Sequence, residues 1–285
     1  MSVGSARNAA SGRQGRDNDL VLIHLIADYG HGDLAFAEVR QRLARLVPEA
    51  EVFVTPVPPF DTVSAGFCAA QLALTDGPEG RLVYTNVAPR GDQPDPRPGN
   101  QGERLIAALP DTGAVVVGVN AQHCFSFLRQ EDGELREVAV PDAGSQFRSR
   151  DLFPAVVAAL ARGDRQCLGD RVRPELVPPP PERAVAYVDG YGNLKTTWSE
   201  APCAVGQPVQ VCVGGSRAVA TVTDGTFAVH HGDMSFAPGS SGWRRSEGGE
   251  LRFYELLLRG GSAARRLGNP EAGAPVDIRP ITVTG

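Results

Sequence analysis

Short apolar runs alternate with helix-compatible stretches along the first half of the chain. Residues 21–26 form a continuous apolar run, and Phe36, Val39, Leu43 and Leu46 follow at helical spacing behind Asp33, which is placed to cap the helix. Similar apolar runs occur at 51–54, 82–84 and 114–117, and helices are predicted from Thr62 onward and over 151–162. This alternation predicts an α/β domain with a mostly parallel sheet flanked by helices.

A proline-rich segment divides the chain. Residues 171–182 contain Pro174 and four consecutive prolines from Pro178, which favour an extended connector. Beyond it, short alternating segments at 209–213, 218–222 and 251–258 are separated by glycine turns, typical of a small β-barrel-like domain. We therefore predict a disordered tail at 1–19, an N-terminal α/β domain at 20–170, a linker at 171–182 and a β-rich C-terminal domain at 183–285. The glycine- and proline-rich residues 88–102 are predicted to form a long loop.

Composition narrows the class of protein. The 285 residues are 42% hydrophobic, and the formal net charge of −5 argues against a nucleic-acid partner, whose binding surfaces are basic. The five cysteines form no C-x-x-C pair, and no apolar run reaches the roughly 18 residues of a membrane span. We therefore expect a cytoplasmic protein with no membrane partner. We also expect no metal site, because the neighbouring His230 and His231 point in different directions along a strand.

Two polar segments far apart in the sequence are candidates for one small-molecule site. Asp28 and Asp33 follow the first apolar run, and residues 189–193 read Asp-Gly-Tyr-Gly-Asn. Glycine at a strand-to-turn corner lets the backbone approach a ligand, and carboxylates there suit hydroxyl or ammonium groups. Each of these side chains also has a structural interpretation as a helix cap or a turn residue.

Five segments, in this order, resemble one enzyme family. They are Ala27-Asp28-Tyr29-Gly30 with Asp33, Pro58-Pro59-Phe60-Asp61, Phe147-Arg148-Ser149-Arg150-Asp151-Leu152-Phe153, Asp189-Gly190-Tyr191-Gly192-Asn193 and Gly261-Ser262-Ala263-Ala264. The set is similar to the enzymes that attack the 5′ carbon of S-adenosylmethionine (SAM) with water or halide: SAM hydroxide adenosyltransferase (SAM hydrolase), the fluorinase and the chlorinase. The resemblance covers roughly residues 20–270. It implies a homotrimer with the ligand between subunits and no cofactor, because SAM is the substrate.

The resemblance also implies roles for the substrate-binding residues. Asp28 would hold the ribose hydroxyls with Asp33 nearby, and Phe60 would form a wall near the ribose and the sulfonium. Asp189 and Asn193 would bind the amino and carboxylate ends of methionine. Arg259 is similar to a residue near the methionine or adenine end of the ligand.

The water-handling residues of the hydrolases are only partly matched. Where that family uses an Asp, an Arg and a His, this chain has Val87, Arg104 and Arg148. Ser149 instead resembles the halide-contacting serine of the fluorinase. The resemblance thus predicts Arg104, Arg148 and Ser149 as catalytic residues, with water as the default nucleophile. A SAM-dependent halogenase and a non-catalytic adenosyl-ligand binding protein are the alternatives.

Overall fold

The computed structural model describes residues 21–91, 94–129, 133–141, 144–245 and 248–281. It contains two mixed seven-stranded sheets and few helices. The tail predicted at 1–19 lies outside the described residues. The first sheet consists of β1 (Val21–Ala27), β2 (Ala50–Pro56), β3 (Leu82–Asn86), β4 (Leu105–Pro110), β5 (Val115–Val119), β6 (Gly133–Val138) and β7 (Leu168–Arg171).

The strand order of the first sheet is β2-β1-β3-β5-β4-β6-β7. The pairs β1–β2, β1–β3 and β3–β5 are parallel, whereas β4–β5, β4–β6 and β6–β7 are antiparallel. The prediction of a mostly parallel sheet is therefore wrong. The cause is the tight turn after Pro110, where Gly113 has a φ of 77° and its N–H donates to the Pro110 carbonyl. So short a connection can join only antiparallel strands.

Five α-helices accompany the sheets among the described residues: α1 (Leu34–Leu46), α2 (Thr62–Leu74), α3 (Arg148–Asp151), α4 (Phe153–Ala161) and α5 (Ala263–Arg266). The helix predicted at 151–162 corresponds to α4, and the separate short helix α3 ends where that prediction begins. Helix α1 packs its buried Phe36, Val39 and Leu43 toward the core, as their helical spacing predicts. Helix α2 is buried along most of its length because it lies between the two sheets, with Phe67 stacked 6.5 Å from the Tyr187 ring of the second sheet.

The second sheet consists of β8 (Val185–Val188), β9 (Leu194–Thr196), β10 (Pro208–Val213), β11 (Ser216–Val222), β12 (Met234–Arg244), β13 (Glu250–Leu258) and β14 (Val276–Pro280). Its order is β14-β10-β11-β12-β13-β9-β8. Ala184, just before β8, forms an antiparallel bridge with Pro275, just before β14, so the two edges of the sheet meet at one end. The second sheet is therefore curled into a half-barrel. None of the described helices is long and apolar enough to cross a membrane.

Candidate functional site

A cleft of about 440 Å³ opens at the edge of the first sheet where β1 and β3 end. It is lined by residues between Asp28 and Phe153, from the three N-terminal segments of the family resemblance and from the 88–102 loop. The carboxyl ends of β1, β3 and β5 and the amino end of β4 lie at this edge, as their pairing requires. Loops at such an edge are held by rigid strands, a common setting for ligand binding.

Asp28 joins two of these segments. Its Oδ2 accepts a hydrogen bond from the Phe60 N–H at 2.9 Å, whereas its Oδ1 has no hydrogen-bond partner in the described part of the chain. Phe60 has a φ of 61°, a left-handed conformation that is unusual for an aromatic residue, and its side chain is 55% exposed. The Asp28 carboxylate thus holds a strained turn that presents an aromatic ring at the cleft, while one oxygen stays available to a ligand.

Asp33 and Asp61 serve as helix caps. Asp33 Oδ1 accepts the Ala35 N–H at 2.7 Å at the start of α1, and Asp61 Oδ1 accepts the Ser64 N–H at 2.8 Å at the start of α2. Burial raises the pKa of the Asp61 carboxyl. The cap predicted at Asp33 is confirmed, and neither carboxylate is among the described residues that line the cleft.

Ser149 lies at the centre of a hydrogen-bonded group in the cleft wall. Tyr29 Oη donates to Ser149 Oγ at 2.7 Å, and Tyr84 Oη donates to the Ser149 carbonyl at 2.9 Å. Burial raises the pKa of both tyrosine hydroxyls, so they remain protonated donors. Because Ser149 Oγ accepts from Tyr29, its own proton is free to be donated into the cleft.

Arg148 also lines the cleft. Its Nη1 donates to the Glu103 carbonyl at 3.2 Å, and its guanidinium carbon lies 5.0 Å from the centroid of the Phe153 ring. A Cβ on Gly102 would lie 2.8 Å from Arg148 Nη1, so glycine at that position leaves room for the guanidinium. Arg148 and Ser149, both predicted as catalytic residues, therefore line the same cleft.

Arg104 is separated from this group. Its side chain is 77% exposed and forms an ion pair with Glu137 at 2.6 Å. Arg104 does not line the cleft, so the structure does not bring it to the other predicted catalytic residues. Val87, which the resemblance aligns with the water-handling Asp of the hydrolases, is fully buried, and its carbonyl accepts a hydrogen bond from the Cys124 thiol at 3.6 Å.

Glu103 is a cleft residue that the sequence analysis missed. It is only 5% exposed, and its Oε1 accepts the Arg90 N–H at 2.6 Å. Burial, and to a smaller extent the charges of Asp28, Asp61 and Glu103, raise the pKa of the Cys124 thiol to about 12. Glu103 and Asp28 both line the cleft. No sequence motif marked Glu103, because it stands at the end of a loop with no regular pattern.

The second predicted half of the site is built on the second sheet. Asp189 Oδ1 accepts the N–H groups of Tyr191 and Asn193 at 2.9 and 3.0 Å, and its Oδ2 accepts Asn193 Nδ2 at 3.0 Å. The Gly192 carbonyl accepts the Ala264 N–H at 2.8 Å, and a Cβ on Gly192 would lie 2.1 Å from Ser262 Oγ. The fourth and fifth segments of the resemblance therefore pack against each other, away from the residues that line the cleft.

Arg259 lies near this second group. Its Nη1 donates to the Val229 carbonyl at 2.6 Å, and its guanidinium carbon lies 5.6 Å from the centroid of the Phe227 ring. These contacts tie β13 to the 226–229 turn, where the Phe227 side chain is exposed. Within one chain, Arg259 does not line the cleft.

No protein-family model and no curated protein matches the chain. Among solved structures, the chain is similar to an uncharacterized conserved protein from Thermotoga maritima, with 22% sequence identity and a TM-score of 0.70 over 90% of this chain and 100% of that one. It is also similar to a conserved hypothetical protein from Thermus thermophilus, with 26% identity and a TM-score of 0.64 over 90% and 99% of the two chains. These similarities show that the fold occurs in other proteins and assign no activity to it.

Proposed function

We propose that the protein cleaves S-adenosylmethionine by nucleophilic substitution at the 5′ carbon, with water as the nucleophile and adenosine and L-methionine as products. The observation that carries this proposal is the convergence of three sequence segments of the family resemblance on one cleft. These segments begin at Ala27, Pro58 and Phe147, and they lie far apart in sequence. Their shared location is expected if they act on one ligand.

The chemistry of the cleft suits the adenosyl group. Asp28 Oδ1 can accept hydrogen bonds from ribose hydroxyls, and such bonds to a charged acceptor are stronger than neutral ones. The exposed Phe60 ring can contact the sulfonium through its face, a favourable contact for a cation. The leaving thioether is neutral, so the reaction needs an oriented nucleophile more than covalent assistance.

The methionine end of the ligand requires the second group of residues. Asp189 and Asn193 are fixed by their own hydrogen bonds, and the Tyr191 side chain next to them is 84% exposed. In the proposed trimer, this loop of one subunit would cover the cleft of its neighbour, which would complete the site between subunits. Arg259 would then lie at the edge of the same interface.

Ser149 favours a second candidate, a halogenase. Its Oγ–H is free to donate into the cleft because Tyr29 already donates to the oxygen, and a halide ion could accept that bond as well as water. Val87 is buried and uncharged, whereas the hydrolases have an Asp at the corresponding position. A halogenase or a non-catalytic binding protein would explain the absence of this Asp.

Product analysis tests the proposal directly. Purified protein would be incubated with SAM in halide-free, chloride and fluoride buffers, and the nucleosides would be identified by mass spectrometry. We expect adenosine and methionine in all three buffers. A halogenated nucleoside would instead identify the halogenase, and SAM binding without any product would contradict catalysis and favour a binding protein.

A further inference from the structure

Glu103 is a nearly buried carboxylate that the fold leaves with one unused oxygen. Its Oε1 accepts the Arg90 N–H, and its Oε2 has neither a hydrogen-bond nor an ion-pair partner among the described residues. Oε2 is not among the described side-chain atoms that are both fully buried and unpaired, so it keeps contact with the solvent in the cleft. This oxygen is therefore available to a molecule bound in the cleft.

The position of Glu103 fits that interpretation. It lines the same cleft as Asp28 and Ser149, and its carbonyl accepts a hydrogen bond from the Arg148 guanidinium. The Arg90 N–H on Oε1 fixes the direction of the carboxylate, so the side chain does not need to reorganise to act on a bound molecule. If Glu103 only held the loop in place, the hydrogen bond from Arg90 to Oε1 would be sufficient.

We propose that Glu103 is the catalytic base that accepts a proton from the attacking water, an inference that rests on the proposed function. The water oxygen forms a bond to C5′ of SAM, and the C5′–S bond breaks with its electron pair going to sulfur, which leaves as the neutral thioether of methionine. The proton lost by the attacking water goes to Glu103 Oε2. This carboxylate would replace the family's Asp, whose position holds the buried Val87.

Glu103→Gln tests the inference because it keeps an oxygen for the Arg90 N–H and removes the basic charge. We expect the single-turnover rate of adenosine formation to fall by about 10²–10⁴-fold, the usual contribution of a general base. The affinity for SAM, measured by calorimetry, should change far less than this rate. Glu137→Gln is the matched control, because Glu137 is a carboxylate outside the cleft, paired with the exposed Arg104. It should retain the wild-type rate.

Two further measurements separate a base from a merely structural residue. Formate added to Glu103→Ala should restore part of the rate, because it can supply the missing carboxylate, whereas chloride should not. The wild-type single-turnover rate should be slower in D₂O, and this measurement still applies if the variants fail to fold. An unchanged rate in folded Glu103→Gln, or no solvent isotope effect on the wild type, would overturn the inference.

The design distinguishes this inference from the proposed function. Adenosine release by the wild-type protein decides whether SAM is cleaved at all. The ratio of the Glu103→Gln rate to the wild-type rate decides whether Glu103 is the base. Cleavage by the wild type with an unchanged ratio would refute only the assignment of Glu103.

Discussion

Replacing Asp28 by alanine should weaken SAM binding without unfolding the protein. Asp28 Oδ1 is the available oxygen at the cleft, and a hydrogen bond to a charged acceptor contributes about 1.5–3 kcal/mol. Because about 1.4 kcal/mol corresponds to a factor of ten, the dissociation constant should rise by about 10- to 150-fold. The Phe60 N–H loses its acceptor in this variant, but water can replace it because the turn is exposed.

Asp33→Ala is the matched control for this prediction. Asp33 lies five residues further along the same segment, but its carboxylate is engaged with the Ala35 N–H at the start of α1. Loss of this cap should lower the free energy of unfolding by about 1 kcal/mol and leave the affinity for SAM unchanged. Titration calorimetry measures the affinity, and urea denaturation measures the stability. The assignment of the cleft is refuted if Asp28→Ala binds SAM as the wild type does, or if both variants lose the same affinity.

Three further predictions concern single side chains. Arg104→Ala should keep the rate of SAM cleavage within about twofold of wild type, since its exposed ion pair contributes only about 0–1 kcal/mol, and a large loss would show that Arg104 reaches the site. Ser149→Ala should slow the single-turnover reaction by about 2- to 12-fold, the worth of one neutral hydrogen bond, and an unchanged rate would remove Ser149 from catalysis. Arg81→Met should lower the free energy of unfolding by about 3 kcal/mol or more, since each buried group left without a partner costs about 1–3 kcal/mol. The Arg81 guanidinium donates to four carbonyl groups around the end of α2, and all four would lose this donor. A smaller loss in urea denaturation would contradict this prediction.

Local patterns predicted the first part of the fold well. The apolar run at 21–26 lies in β1, the helical spacing from Phe36 to Leu46 lies in α1, and Thr62 begins α2 behind the Asp61 cap. These elements are recognisable because their apolar periodicity and their caps are encoded within about a dozen residues. Strands β4, β6 and β7 were not predicted, since their sequences carry no strong β pattern.

The candidate site was predictable only where a motif marked it. Asp28, Phe60, Arg148 and Ser149 stand in recognisable segments, and the structure places all four at one cleft. The unused oxygen of Glu103 could not be inferred from the sequence, because it depends on a backbone N–H thirteen residues away.

The direction of β4 explains why Glu103, and not Arg104, reaches the cleft. Strand β3 runs toward the cleft, so its carboxyl end carries Asn86 to the cleft wall. Strand β4 runs antiparallel to β5, so it is the amino end of β4, preceded by Glu103 and Arg104, that lies at the same edge. Glu103 lies at a bend and lines the cleft, whereas the side chain of Arg104, which follows it, pairs with Glu137. In a parallel sheet, the amino end of β4 would lie at the far edge, and Glu103 could not line the cleft.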